Sequence, residues 1–132
     1  MKKILSIVVL LISLSLNAQG NLQFNQVINS EYTFTGNPNN VIATITVPNG
    51  KVLKIEGVSL LLVSGTSEFP VYSSYAAVTI AGINVYYSYS YQNTCLPLWL
   101  GEGTHNIVVN QTGNTSATHK VGISAIEFNV VP

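Results

Sequence analysis

The sequence predicts an all-β fold, a two-sheet antiparallel β-sandwich of about eight strands with jelly-roll character. Three observations carry this expectation. No segment places its apolar residues at helical spacing. Several runs alternate apolar and polar residues, the period of a half-buried strand. Clusters of Gly, Asn and Pro punctuate those runs at short intervals. Two long strands that change phase suit a jelly roll better than an immunoglobulin sandwich, whose Cys…Trp…Cys spacing is absent.

The chain opens on a basic head, Met1-Lys2-Lys3, followed by an apolar run from Ile4 to Leu16 and small residues around Ala18. This is the pattern of a secretory signal peptide, cut after Ala18 or alternatively after Gly20. The apolar run is shorter than the roughly 20 residues that cross a bilayer, so no membrane span is expected. Residues 1–18 are therefore assigned to a signal peptide and 19–132 to one β-sandwich domain, secreted to the extracellular space or periplasm.

Gln19 to Asn40 is polar and mixed, with Phe24 and the Tyr32/Phe34 pair at strand-like alternation before a turn at Gly36–Asn40. Val41 to Val47 alternates cleanly, and Pro48-Asn49-Gly50-Lys51 then predicts a tight hairpin into the next strand, because Asn-Gly tolerates positive φ. In Val52–Val63 the apolar positions shift parity across Gly57, from Leu53 and Ile55 to Val58, Leu60 and Leu62. One extra residue does that, so a β-bulge is expected at Gly57. Lys54 and Glu56 share the other face as a solvated pair. Ser64–Pro70 reads as a loop, Ala76–Ile80 as a strand, and Ala81-Gly82 as a tight turn. His105–Gln111 is another strand, Thr112–His119 a polar loop, and Lys120–Val131 a last strand. That strand switches phase from Val121/Ile123 to Ile126/Phe128/Val130.

Only 8% of residues are charged, against about 25% in an ordinary domain. Arginine and aspartate are absent, and beyond Ala18 Lys51, Lys54 and Lys120 face Glu31, Glu56, Glu68, Glu102 and Glu127. Nucleic-acid binding needs clustered cations and is not expected. Copies of so weakly charged a chain repel one another little, which favours self-association.

The same scarcity argues against catalysis. A Ser-His-Asp triad lacks its aspartate, and no Gly-x-Ser-x-Gly elbow occurs. No spacing brings two glutamates together as a glycosidase pair. His105 and His119 read as a strand-head cap and a loop-end residue, without the paired spacing of metal ligands. Neither metal nor cofactor is expected. Cys95, with no charged neighbour to activate it, reads as a small buried hydrophobe beside Leu96 and Leu98.

The most distinctive stretch is Gly82–Gly101, which holds the only tryptophan and the only cysteine. Strict alternation places Val85, Tyr87, Tyr89 and Tyr91 on one strand face and Tyr86, Ser88, Ser90 and Gln92 on the other. With Trp99, these tyrosines form the candidate site, and three readings of the ladder stand open. It is a core face, an oligomer contact, or a stacking platform for sugar rings. Tyr72 and Tyr75 extend the surface if they face the same way.

Pro97-Leu98-Trp99-Leu100-Gly101-Glu102-Gly103-Thr104-His105 and the ending Ile123–Pro132 resemble segments of secreted jelly-roll modules, with His105 where an aromatic is usual. Together with the Asn-Ala-Gln cleavage region, the chain resembles short exported β-sandwich proteins of Bacteroidota. It is also similar in outline to the trimeric jelly rolls of C1q/TNF-like and fibre-head domains. The resemblance implies a jelly roll, export and a homo-oligomer, with a trimer favoured. It carries over no catalytic residue. The expected function is a non-enzymatic structural or adhesive module that self-associates. The alternatives are a carbohydrate-binding module, with polysaccharide as partner, and a small secreted hydrolase.

Overall fold

The computed structural model describes residues 21–36, 40–64, 66–70, 76–88, 92–93, 95–111 and 117–131. The signal-peptide assignment, Tyr72, Tyr75, Tyr89 and Tyr91 lie outside them. Ten strands are present: β1 (Asn21–Thr35), β2 (Asn40–Val47), β3 (Lys51–Ser64), β4 (Ser67–Pro70), β5 (Ala76–Ile80), β6 (Ile83–Tyr87), β7 (Gln92–Asn93), β8 (Leu98–Leu100), β9 (Gly103–Gln111) and β10 (Thr118–Val131). The described residues hold no helix long and apolar enough to cross a membrane.

The strands form two antiparallel sheets. The first runs β1-β10-β3, with β4 and β8 both pairing β3, and the second runs β2-β9-β5-β6-β7. Setting aside the short β4 and β7, the order is β1-β10-β3-β8 over β2-β9-β5-β6, the interleaving of a jelly roll. The fold is an all-β two-sheet sandwich.

Both inner faces are mainly apolar. Leu53, Ile55, Val58 and Leu60 of β3 meet Val78 and Ile80 of β5, Val85 of β6, and Ile107 and Val109 of β9 in one core cluster. β3 keeps its apolar face inward through a bulge. Ser124 faces Gly57 and Ala125 faces Ile55, which leaves Glu56 as the extra residue. The expected parity shift beside Gly57 is therefore present, and Lys54 and Glu56 form an ion pair at 2.6 Å.

The turn at Asn49-Gly50 also forms, with Gly50 at φ +71° and Lys51 N donating to the Pro48 carbonyl. The strands on either side do not pair. β2 pairs β9 and β3 pairs β10, so the turn carries the chain from one sheet to the other. Local turn chemistry gave no hint of this, because each strand finds a better-matched partner far along the chain. Ala81-Gly82, both at positive φ, does close a true hairpin between β5 and β6. The expected loop at Ser64–Pro70 contains β4, and the whole segment from Asn21 to Thr35 is one edge strand.

His119 is not a loop-end residue. It lies in β10, 1% exposed, with its ring stacked on Phe34 at 5.3 Å. Burial outweighs a backbone hydrogen bond at Ala117 and holds the imidazole below its ordinary 6.5. As pH falls below 6.5 the unfolded chain takes up a proton that the folded chain refuses, so stability drops. Chemical denaturation from neutral to mildly acidic pH should show this loss, and His119→Phe, which keeps the stack, should abolish it. An unchanged slope in the variant would assign the loss elsewhere.

Candidate functional site

Of the residues Tyr87, Tyr89, Tyr91 and Trp99, the structure describes Tyr87 and Trp99, and these two do not share one surface; Tyr89 and Tyr91 lie outside the described residues. In β6 the register slips: Val78 faces Tyr86 and Thr79 faces Asn84, so Val85 is an inserted, bulged residue. Both Val85 and Tyr86 enter the core, at 0% and 8% exposure. Tyr87 is half-buried and turned away from Val85. Its hydroxyl accepts from Asn84 Nδ2 at 3.1 Å, and Asn84 Oδ1 accepts from Thr79 Oγ1 at 2.7 Å. Ser88 ties off the start of β5 through paired bonds with Ala76. The expected grouping of Val85 with Tyr87 is thus corrected by one bulge, which inverts the alternation.

Trp99 stands on the other sheet. Leu98 and Leu100 enter the core and Trp99 points out, 48% exposed, opposite Lys54 of β3. Tyr87 and Trp99 therefore occupy opposite outer faces of the sandwich and share no ligand.

Around Trp99 the structure assembles a surface that the sequence reading missed. Its ring packs on Phe128 of β10 at 5.6 Å between centroids, and Lys54 Nζ lies 5.6 Å over the indole. Across the sheet, Leu22, Phe24 and Val27 of β1 stand opposite Val130, Phe128 and Ile126 of β10. Phe24 is 63% exposed, Val27 58%, Leu22 46% and Val130 42%. A bulge at Asn25 keeps all three β1 residues on the same outer face. Ordinary soluble surfaces scatter such residues singly, and a contiguous group marks an interaction site.

The inner face of β10 runs His119, Val121, Ile123, Ala125 and Glu127, all buried, with no change of phase. The apparent switch to Ile126/Phe128/Val130 is instead a change in which face is apolar. The change of parity at Ile126 is the sequence signal for this surface. Part of the same outer face is polar. A shallow trough of about 440 Å³ runs past Asn29, Ser59, Gly122 and Ser124, and beyond it Lys120 pairs with Glu31 and Glu68. Gly122 keeps the trough floor low, since a Cβ there would lie 2.6 Å from Ser59 Oγ.

All three described lysines are engaged in ion pairs within the chain, Lys51 with Glu127 at 2.7 Å being the most buried. Among the described residues no cluster of His, Cys and Glu could hold a metal ion. Glu31 and Glu68 converge on Lys120, which pairs with both. His105 Nε2 donates to the Gly101 carbonyl at 2.9 Å, closing the turn before β9.

Cys95 is exposed, at φ +62°, rather than packed beside Leu96 and Leu98. Its left-handed turn carries the side chain outward while Leu98 takes the core position. Ellman's reagent should therefore titrate one thiol in the native protein as fast as in denaturant. A thiol reactive only after unfolding would contradict the exposed turn.

No protein-family model, curated protein or solved structure matches this chain.

Proposed function

We propose that the protein is a secreted, non-enzymatic structural or adhesive module that self-associates through the outer face of its first sheet. The contiguous exposed apolar face of Leu22, Phe24, Val27, Trp99 and Val130 carries this reading. Its occupant is a second copy of the chain. An apolar surface rimmed by internally paired charges is complementary to itself, because a two-fold contact sets each residue against its own face. No unpaired lysine among the described residues is left to select an acidic partner. One flat patch favours a face-to-face dimer over the trimer implied by resemblance, which would need a second, complementary surface. Mass by light scattering at micromolar concentration should give twice the monomer value, and a strict monomer would remove the reading.

The stacked Trp99 and Phe128 rings support a second reading, binding of polysaccharide. Aromatic faces suit sugar rings, but Leu22, Val27, Ile126 and Val130 offer a sugar no matching chemistry. Retardation in a polysaccharide gel that Trp99→Ser removes would favour this reading over assembly.

A further inference from the structure

Glu127 stands on the inner face of β10, 4% exposed, between two strands that do not pair with each other. On one side Lys51 opens β3, and its Nζ donates to Glu127 Oε1 at 2.7 Å. On the other side, in β1, Asn25 Nδ2 donates to the same oxygen, as does Gln26 Nε2 at 3.1 Å. Asn25 is the inserted residue of the β1 bulge, since Phe24 faces Phe128 and Gln26 faces Glu127. A bulge re-aims a side chain, and this one turns a carboxamide toward a lysine across the intervening strand. Two groups bonded to one oxygen lie within about 6 Å of each other.

These groups are the parts of an amide-forming reaction. An amine nucleophile needs a base within hydrogen-bond reach, and Glu127 is placed as that base. The same oxygen already touches Nδ2, the leaving nitrogen of the carboxamide. We propose that Lys51 and Asn25 join covalently, Nζ to Cγ, in an amide cross-link that the folded chain forms on itself. Glu127 takes a proton from the Lys51 ammonium, and the freed electron pair on Nζ adds to Asn25 Cγ. The Cγ–Nδ2 bond then breaks with its electrons on nitrogen. Glu127 relays two of the three Nζ protons to that nitrogen, so one ammonium ion leaves and Glu127 ends as it began. The balance needs no other reactant. At rest Lys51 holds the Glu127 carboxyl below its ordinary range, so the amine is free only briefly and the step is slow. Buried Val47, Leu53 and Ala125 beside Glu127 lower the cost of the neutral pair, and one turnover per chain suffices. The cross-link ties edge strand β1 to β3 over β10, separately from the Trp99 face and from self-association.

The test is intact mass and tryptic digestion of the purified chain, followed during prolonged incubation at neutral pH. The mass should fall by one ammonia, and trypsin should stop cutting after Lys51. Asn25 and Lys51 should then share one peptide ending at Lys54, with the loss mapped to the pair by fragmentation. Lys51→Arg keeps a cation opposite Glu127 but has no free amine, so it should form no cross-link. Glu127→Gln should slow formation at least about a hundredfold, the usual contribution of a positioned acid–base group. If Glu127→Gln does not fold, Lys51→Arg and Asn25→Ala decide the matter. The proposal is overturned if Lys51 stays cleavable with ammonia retained, if the same loss of ammonia persists in Lys51→Arg, or if Glu127→Gln cross-links at the wild-type rate.

Discussion

Trp99→Ser is expected to weaken self-association on the order of a thousandfold while leaving the fold intact. Interface tryptophans commonly contribute about 2 kcal/mol or more, and a two-fold contact counts each substitution twice. About 4 kcal/mol in total corresponds to nearly three decades in dissociation constant. The domain itself should lose little, because Trp99 is half exposed and its packing on Phe128 is worth only about 1 kcal/mol. Sedimentation velocity across a dilution series reads the change directly. Ile83→Ser is the control: Ile83 is also well exposed, at 41%, but lies in the second sheet. Equal weakening by both substitutions would mean that the apolar face of the first sheet is not the contact.

Ile55→Ala is expected to cost about 2–5 kcal/mol, the range for emptying a buried aliphatic site. That is a large part of the roughly 5–15 kcal/mol of a small domain. Ile55 is fully buried and stands at the centre of the first sheet, flanked by Ala125 of β10 and Leu98 of β8. β8 is only three residues long and is held by the facing pairs Leu53–Leu100 and Ile55–Leu98. Truncating Ile55 therefore loosens the strand that presents Trp99, and assembly should weaken along with stability. Guanidinium unfolding should show a lower midpoint at unchanged slope. A loss below about 1 kcal/mol would show that the site collapses around the change.

The sandwich was legible because period-two alternation reports burial on one face directly. In β3 even the bulge could be read, since Leu53/Ile55 and Val58/Leu60 differ in parity and all four face one core. Alternation does not say which face is inside. In β10 the run Ile126, Phe128, Val130 looks like core in sequence yet lies outside, while Glu127, inside, looks like solvent. Pairing was equally hidden: the Asn49-Gly50 turn has its expected geometry, but the partners of β2 and β3 are set by strands far along the chain. Tyr87 and Trp99 stand apart for a related reason. Trp99 and Tyr87 are close in sequence, but the chain crosses from the second sheet to the first between β7 and β8.

Trp99 is the only tryptophan, so its fluorescence reports the proposed contact without a label. Diluting the protein from micromolar to nanomolar concentration should move its emission to longer wavelength as the indole is uncovered. The midpoint should match the mass change seen by sedimentation. Emission that stays constant while the mass remains that of one chain at every concentration would contradict self-association through this face.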